Sequence, residues 1–433
     1  MNIVQIIPGS GGSFYCGNCL RDSKFVDSLK KQGHTVIKVP MYLPIFSDEH
    51  DLEEIPVFYG AISIYLKQLY PIFRHAPAWF DRLLNSKPLM KMAAGMAGST
   101  NAKGLEEMTI SMLLGEEGEQ SKELDKMVDW IAEHCKPDVV HLSNALLLGL
   151  ARRMKQKLNI PVVCSLQDED VWVDVMKPTV RGKVWKLMEE RAKDVDAFIA
   201  VSDFFATESK RWMNLPEEKV FTVHLGVDPA DYTVTPIGEK KREIGYISRM
   251  NAENGLDILV DAFIILKRET RFNDVHLHIT GGHTGDDVKF IKEQKKKLED
   301  AAIRQFGHFW EGFENPHRKN FLKRMQLISV PVRNGEAFGI YLSEAMASGI
   351  PVVQPALGAF PEIVNTAGGG AIYQPNTPEA LAEALINLLD NPQRIEQLSL
   401  EARASVETHF DINQQAEKLV EIYDRMRSKP FND

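Results

Sequence analysis

The chain has 433 residues, 44% of them hydrophobic, with 51 basic and 60 acidic side chains and a net charge of −9 at pH 7. That length accommodates two or three domains with packed cores, and so mild an acidic balance argues against a nucleic-acid partner. Four cysteines exclude a disulfide scaffold and fit a reducing compartment, and no run approaches the roughly 18 apolar residues of a spanning helix.

In chain order, residues 3–7 (Ile-Val-Gln-Ile-Ile) form a predicted first strand. No basic segment precedes it and no small-residue cleavage site follows, so this start reads as a strand and not as a signal peptide. A glycine-rich loop with Gly9, Gly11 and Gly12 comes next, then a helix at 18–32 stopped by Gly33, and a strand at 36–39. Further strands are expected at 138–141, 162–166, 197–201 and 220–224. In the second half, strands at 243–248, 275–280, 327–332 and 351–354 alternate with helices at 256–267, 290–306, 340–348, 378–389 and 412–427. Such alternation predicts the α/β class: two doubly wound, Rossmann-like domains built on parallel sheets. The boundary is expected within 228–241, which carries Pro229, Pro236 and Gly238. This divides the chain into 1–230, 231–410 and a terminal helix in 411–433.

The stretch 57–122 breaks the alternation. It is rich in aromatic and basic residues, among them Tyr65, Trp79, Phe80, Lys67, Arg74 and Arg82. A helical insertion in the first domain is expected. Its aromatic side chains are either packed inside it, or exposed as an acceptor-binding lid or a membrane-surface patch.

The densest chemistry lies at Asn334-Gly-Glu-Ala-Phe-Gly-Ile-Tyr-Leu-Ser-Glu-Ala-Met-Ala-Ser-Gly349. A strand ends before it, Gly335 opens a loop, a helix starts near Ile340, and Gly349 stands where a left-handed cap belongs. Glu336 therefore sits in a loop at the carboxyl end of a strand, and Glu344 about one turn inside the next helix. Ligands of open α/β sheets bind in such crevices, and helix N-termini attract phosphate. Two carboxylates beside that position suit a ligand carrying many hydroxyl donors next to a phosphate, such as a sugar nucleotide. Arg249, just after a strand, is either a surface cation or a clamp for a diphosphate leaving group.

Other motifs are weaker. The first glycine loop lacks the G-x-G-x-x-G spacing, and no acidic residue closes the second strand, so a nicotinamide site is disfavoured. Cys16-Gly-Asn-Cys19 is either a pair of structural thiols or a redox pair near a helix start. Cys135 and Cys164 are not spaced as a second pair of zinc ligands. The acidic run Asp168, Glu169, Asp170 and Asp174 is compatible with Mg²⁺ or Mn²⁺ in residue type.

The Glu336–Gly349 string, with the Ile350-Pro-Val-Val353 that follows it, resembles the retaining glycosyltransferases of family GT4, which have the GT-B fold. The resemblance extends over nearly the whole chain. It includes Asp138-Val-Val-His141, Gly226-Val-Asp228, Gly245-Tyr-Ile-Ser-Arg249, Gly281-Gly282 and Pro361-Glu-Ile-Val364. It implies an acceptor-binding first domain and a donor-binding second domain facing each other across a cleft, with the last helix packing back on the first. Glu336 and Arg249 are implied at the reacting sugar and diphosphate. Glu344 is implied at the ribose, with the backbone of Phe338, Gly339 and Ile340 around the diphosphate, and Gly281 and Gly282 also belong to the donor side. Gly11 and Gly12 are implied in an acceptor-side loop.

Two departures stand out. Asn254 occupies the place of the family's lysine, and Arg333 is a candidate substitute. Gln167 occupies the place of the family's histidine, with His141 and Asp168 as candidates for its role. The reaction implied is transfer of a sugar, with retention, from a nucleotide-diphosphate sugar (UDP or GDP) to an acceptor hydroxyl in glycan, glycolipid or polysaccharide synthesis. Neither cofactor nor metal is expected, and the location expected is cytoplasmic, with peripheral membrane contact through 57–122 as one option. The alternatives are a sugar-nucleotide binder without turnover, favoured by Asn254 and Gln167, a glycan phosphorylase, and a thiol-redox protein using Cys16 and Cys19.

Overall fold

A computed structural model describes residues 1–8, 17–41, 105–313 and 315–428. It contains two six-stranded, wholly parallel sheets, each in a separate compact unit. One unit comprises 1–12, 25–223 and 416–433, and the other 13–24 and 224–415. The changeover at Val223–His224 falls just ahead of the proline-bearing stretch 228–241.

In the first unit, β1 (Asn2–Ile7), β2 (Thr35–Pro40), β3 (Val139–Leu142), β4 (Val162–Leu166), β5 (Ala197–Ala200) and β6 (Val220–Thr222) run in the order β2-β1-β3-β4-β5-β6. The strands β3, β4 and β5 are buried along their whole length. This explains why they read as continuous apolar runs and not as alternation: helices cover both faces. Residues 57–104 of the expected insertion lie outside the described residues. Its end is helical, with α1 (Glu106–Leu114), a 3₁₀ turn at Gly115–Glu117 and α2 (Ser121–His134). The final helix, Ile412–Arg427, places Tyr423 against His141 inside this unit.

In the second unit, β7 (Glu243–Ile247), β8 (His276–Thr280), β9 (Gly307–Phe309), β10 (Leu327–Ile328), β11 (Val352–Pro355) and β12 (Gly370–Tyr373) are ordered β12-β11-β10-β7-β8-β9. The chain builds outward from β7 through β8 to β9. It then returns to the other side of β7 and builds through β10 to β12. The direction reverses between β7 and β10, so their carboxyl-end loops flank a topological switch point, where α/β sheets bind ligands. Gly255 brings the two loops together. It has φ +72°, and a Cβ there would lie 1.9 Å from the Pro331 carbonyl oxygen, so only glycine allows the approach. Predicted strand 327–332 is much shorter in the structure, because Pro331 has no N–H to give to a ladder. No helix among the described residues is long and apolar enough to cross a membrane.

Candidate functional site

The switch point of the second unit gathers most of the residues singled out on its side. After β10 the chain loops through Arg333, Gly335 and Glu336 and enters the helix Ile340–Ala347. Gly339 precedes that helix with φ +86° and ψ +77°, a left-handed conformation costly to any residue with a Cβ. No side chain caps the helix, so its first N–H groups and the positive end of its dipole are available to an anion. A Cβ on Gly339 would stand 3.1 Å from a Glu336 carboxylate oxygen, which places that carboxylate beside the helix entrance. Phe338 is 2% exposed and edge-packed on Phe410 at 5.8 Å, so the loop is anchored from below. Gly339→Ala is expected to cost about 1–2 kcal/mol in backbone strain, read as a lower melting temperature.

Beyond β7, Arg249 lies across a carboxylate. Its Nε donates to Asp287 Oδ2 at 2.8 Å, and Nη2 donates to Asp287 Oδ1 at 3.1 Å and to Thr284 Oγ1 at 2.9 Å. Burial works against the charge on Asp287, but the Arg249 guanidinium and the Thr284 N–H prevail and hold its carboxyl below the usual range. Gly281, at φ +130°, and Gly282 follow β8, and Gly282 accepts a hydrogen bond from the Met250 N–H at 3.0 Å. The Asn254 amide is spent within its own loop, donating to Ser248 Oγ at 2.8 Å and to the Arg249 carbonyl at 3.4 Å. Arg333 donates to the Ala252 carbonyl at 2.9 Å and pairs with Asp257. Both candidate diphosphate cations thus already carry a carboxylate partner.

Tyr246, which sequence reasoning passed over, ties this loop together. Its hydroxyl donates to the Arg249 carbonyl at 2.8 Å. Burial, then the charges of Glu336, Asp257 and Asp287, push its pKa well up.

Glu344, implied at a ribose, is held by protein groups in this structure. Its side chain is 0% exposed, and Oε1 accepts from Arg318 Nε and from the Tyr232 hydroxyl, both at 2.8 Å. Burial first, and the neighbouring carboxylate second, raise the Tyr232 pKa well above its ordinary value. A ligand hydroxyl reaching Glu344 Oε1 competes with these partners. Arg318 and Tyr232 had no signal in the sequence.

In the first unit, His141 lies near the end of β3. It is 5% exposed, with Nδ1 bonded to the Tyr423 hydroxyl at 2.6 Å and Nε2 to Ser165 Oγ at 2.8 Å. Both ring nitrogens are thus engaged within the unit. Gln167 directly follows β4 and is buried, donating to the Ser143 carbonyl at 2.9 Å, while its Oε1 has no hydrogen-bond partner among the described residues. Asp168 is left-handed, at φ +52°, and precedes the short helix Glu169–Val173. Gly11, Gly12 and Cys16 lie outside the described residues. Cys135 and Cys164 are buried, and burial pushes the Cys135 thiol up to about 11, the opposite of a reactive thiol. Among the described residues no group of three or more His, Cys, Asp or Glu is placed to hold a metal ion.

Within the acidic run, Glu169 is the unusual member. It accepts from the Ala145 and Gln167 N–H groups at 2.8 Å, yet burial pushes its pKa up to about 7. A carboxyl whose folded pKa is raised favours folding below its unfolded value near 4.5, and that contribution is lost as pH rises toward 7. Glu169→Gln should therefore flatten the fall in melting temperature between pH 4.5 and 7.

Comparison with known proteins agrees with this architecture. The sequence model of glycosyl transferases group 1 matches residues 229–405, and that of glycosyltransferase family 4 matches residues 120–231, so together they span 120–405. The lipopolysaccharide core biosynthesis mannosyltransferase LpsB of Rhizobium meliloti is 28% identical over 205 residues, covering 47% of this chain and 54% of LpsB. The phosphatidyl-myo-inositol mannosyltransferase of Mycolicibacterium smegmatis is 25% identical over 308 residues, covering 69% of this chain and 74% of that protein. Alignment with the amylovoran biosynthesis glycosyltransferase AmsK of Erwinia amylovora takes in 60% of AmsK, so the chain spans little more than half the length of some relatives it matches. Among solved structures, sucrose-phosphate synthase from Thermosynechococcus elongatus superposes with a TM-score of 0.72 at 16% identity, covering 98% of both chains. Anabaena HepE in complex with UDP superposes at 0.68 and 16% identity, covering 98% of this chain and 100% of HepE. The chain belongs to the glycosyl transferases group 1 family and has the GT-B fold.

Proposed function

We propose that this protein transfers a sugar from a nucleotide-diphosphate sugar to an acceptor hydroxyl, with retention of the anomeric configuration, in the synthesis of a glycan or glycolipid. The observation that carries the proposal is the uncapped helix behind left-handed Gly339, with the Glu336 carboxylate at its entrance, at the switch point of the second sheet. The helix N-terminus takes the diphosphate through the backbone of Phe338, Gly339 and Ile340. Glu336 accepts hydrogen bonds from the donor sugar's hydroxyls and faces the positive charge that develops at the anomeric carbon. Arg249 exchanges part of its contact with Asp287 for the leaving diphosphate, and Gly281 and Gly282 keep that side of the site low. The ribose competes with Arg318 for Glu344. In a front-face displacement the leaving phosphate oxygen accepts the acceptor's proton as the C–O bond to the acceptor forms.

Support for the donor class also comes from the relatives: HepE is crystallised with UDP and with UDP-glucose, and several matched proteins are named mannosyltransferases. UDP- and GDP-sugars are therefore the first donors to test. Fixed cations and a helix dipole take the role a metal plays elsewhere, so EDTA should leave transfer unchanged. Proton NMR of the first-formed product reads the anomeric configuration. An inverted product overturns the retaining mechanism.

A second reading is a protein that binds sugar nucleotides without turning them over. It is favoured by the engagement of Asn254 within its loop and of Arg249 by Asp287. Tight donor binding with no nucleotide release across an acceptor panel would select it.

A further inference from the structure

A second pocket lies at the opposite end of the same sheet. Its cavity volume is about 630 Å³, and it opens beside the first residues of β7 and β8, whereas Arg249, Gly281 and Glu336 follow strand carboxyl ends. Three imidazoles form its wall. His278 and His308 are direct partners in the β8–β9 ladder and stack at 4.5 Å and 20°, while His276 stacks on His308 at 5.1 Å and 16°. Lys241, Arg304 and Arg324 line the same pocket. One carboxylate, Glu243, faces them, and Arg324 already holds it at both oxygens, at 2.7 and 3.1 Å.

The arrangement suits an anion and not a metal. His276 Nδ1 and His308 Nε2 are bonded to each other at 2.9 Å, and His278 Nδ1 accepts from Trp310 Nε1 at 3.1 Å, so no three nitrogens converge on a point. The remaining His278 nitrogen, Nε2, has no hydrogen-bond partner although the residue is 3% exposed, and Glu243 lies 3.6 Å away. The Lys241 side chain is exposed, and no hydrogen bond or ion pair engages it. Formal charge on the lining is an excess of cations even with neutral imidazoles.

We propose that this pocket binds a phosphate group, carried by a small molecule or a lipid head, and takes up protons on the His276–His308 pair as it does so. Burial, the neighbouring imidazoles, and Lys267 and Lys241 beside His276 and Arg324 beside His308, keep the first and third histidines below their ordinary pKa. Glu243 alone opposes this. An entering phosphate supplies the missing counter-charge, so binding strengthens as pH falls.

The test is calorimetric titration of inorganic pyrophosphate into the intact protein at pH 6 and pH 8, in buffers of different ionisation enthalpy. The expected result is net proton uptake, binding about tenfold weaker at pH 8, and a further fivefold to tenfold loss in Lys241→Glu or Arg304→Glu. Lys241 is exposed; Arg304 is half-buried and donates to the Gly307 carbonyl, so the melting temperature of Arg304→Glu is measured alongside. Arg249→Ala, at the other end of the sheet, should leave the proton-linked component intact, which separates this site from the donor site. Co-sedimentation with phosphatidylglycerol vesicles but not phosphatidylcholine vesicles, lost in Lys241→Glu, would identify a lipid head as the source. Absence of binding to both probes, or binding indifferent to Lys241→Glu and to pH, overturns the proposal.

Discussion

Glu336→Gln is expected to lower sugar transfer by about two to three orders of magnitude, the usual consequence of removing one preorganised group at a reacting centre. The substitution keeps size and hydrogen-bonding reach and removes the negative charge. The loop should survive it, because its frame is set by other groups. Ala359 N–H donates to the Glu336 backbone carbonyl at 3.0 Å, and Phe338 is packed beneath. The effect is therefore expected in kcat, with the affinity for nucleotide diphosphate changed little. A fall in donor affinity with kcat preserved would instead make Glu336 a binding residue only.

The second large effect is on stability. Arg318→Ala leaves the fully buried Glu344 carboxylate with the Tyr232 hydroxyl but without its cation. Breaking such a buried pair costs about 3–5 kcal/mol, which for a unit of this size lowers the melting temperature by roughly 10 °C. The cost arises from the stranded charge and not from the lost attraction alone. Replacing both partners, as Arg318→Leu with Glu344→Leu, should accordingly recover most of the loss, and a double-mutant cycle measures the coupling. If Arg318→Ala is neutral, the carboxylate has another route to compensation and the pair is incidental.

These two glutamates also mark how far the sequence could be read. The loop around Glu336 was legible because its punctuation is local: Gly335, Gly339 and Gly349 all have positive φ, and the helix between the last two runs from Ile340 to Ala347. The resemblance of the same string implies a ribose contact for Glu344; its hydrogen bonds to Arg318 and Tyr232, 26 and 112 residues away, lie on elements that periodicity does not bring together. His141 likewise reads as a strand-end histidine, but its partner Tyr423 is 282 residues away. The parallel sheets were legible as apolar runs alternating with helices. The edge strand Gly307–Phe309 was not, since three residues carry no pattern. The helix expected at 290–306 ends instead at Asp300, because Ala302 adopts a left-handed conformation (φ +57°) that no glycine announces.

In the proposed reaction the switch-point loops of the second unit hold a nucleotide-diphosphate sugar for transfer. It is tested most directly by incubating the protein with UDP-, GDP- and ADP-sugars and a hydroxyl acceptor panel, and following nucleotide diphosphate release in wild type and in Glu336→Gln. The expected result is release from one nucleotide class, dependent on acceptor and lost by about a hundredfold or more in the variant. Release that persists in Glu336→Gln, or neither binding nor release with any of the three donors, would contradict it.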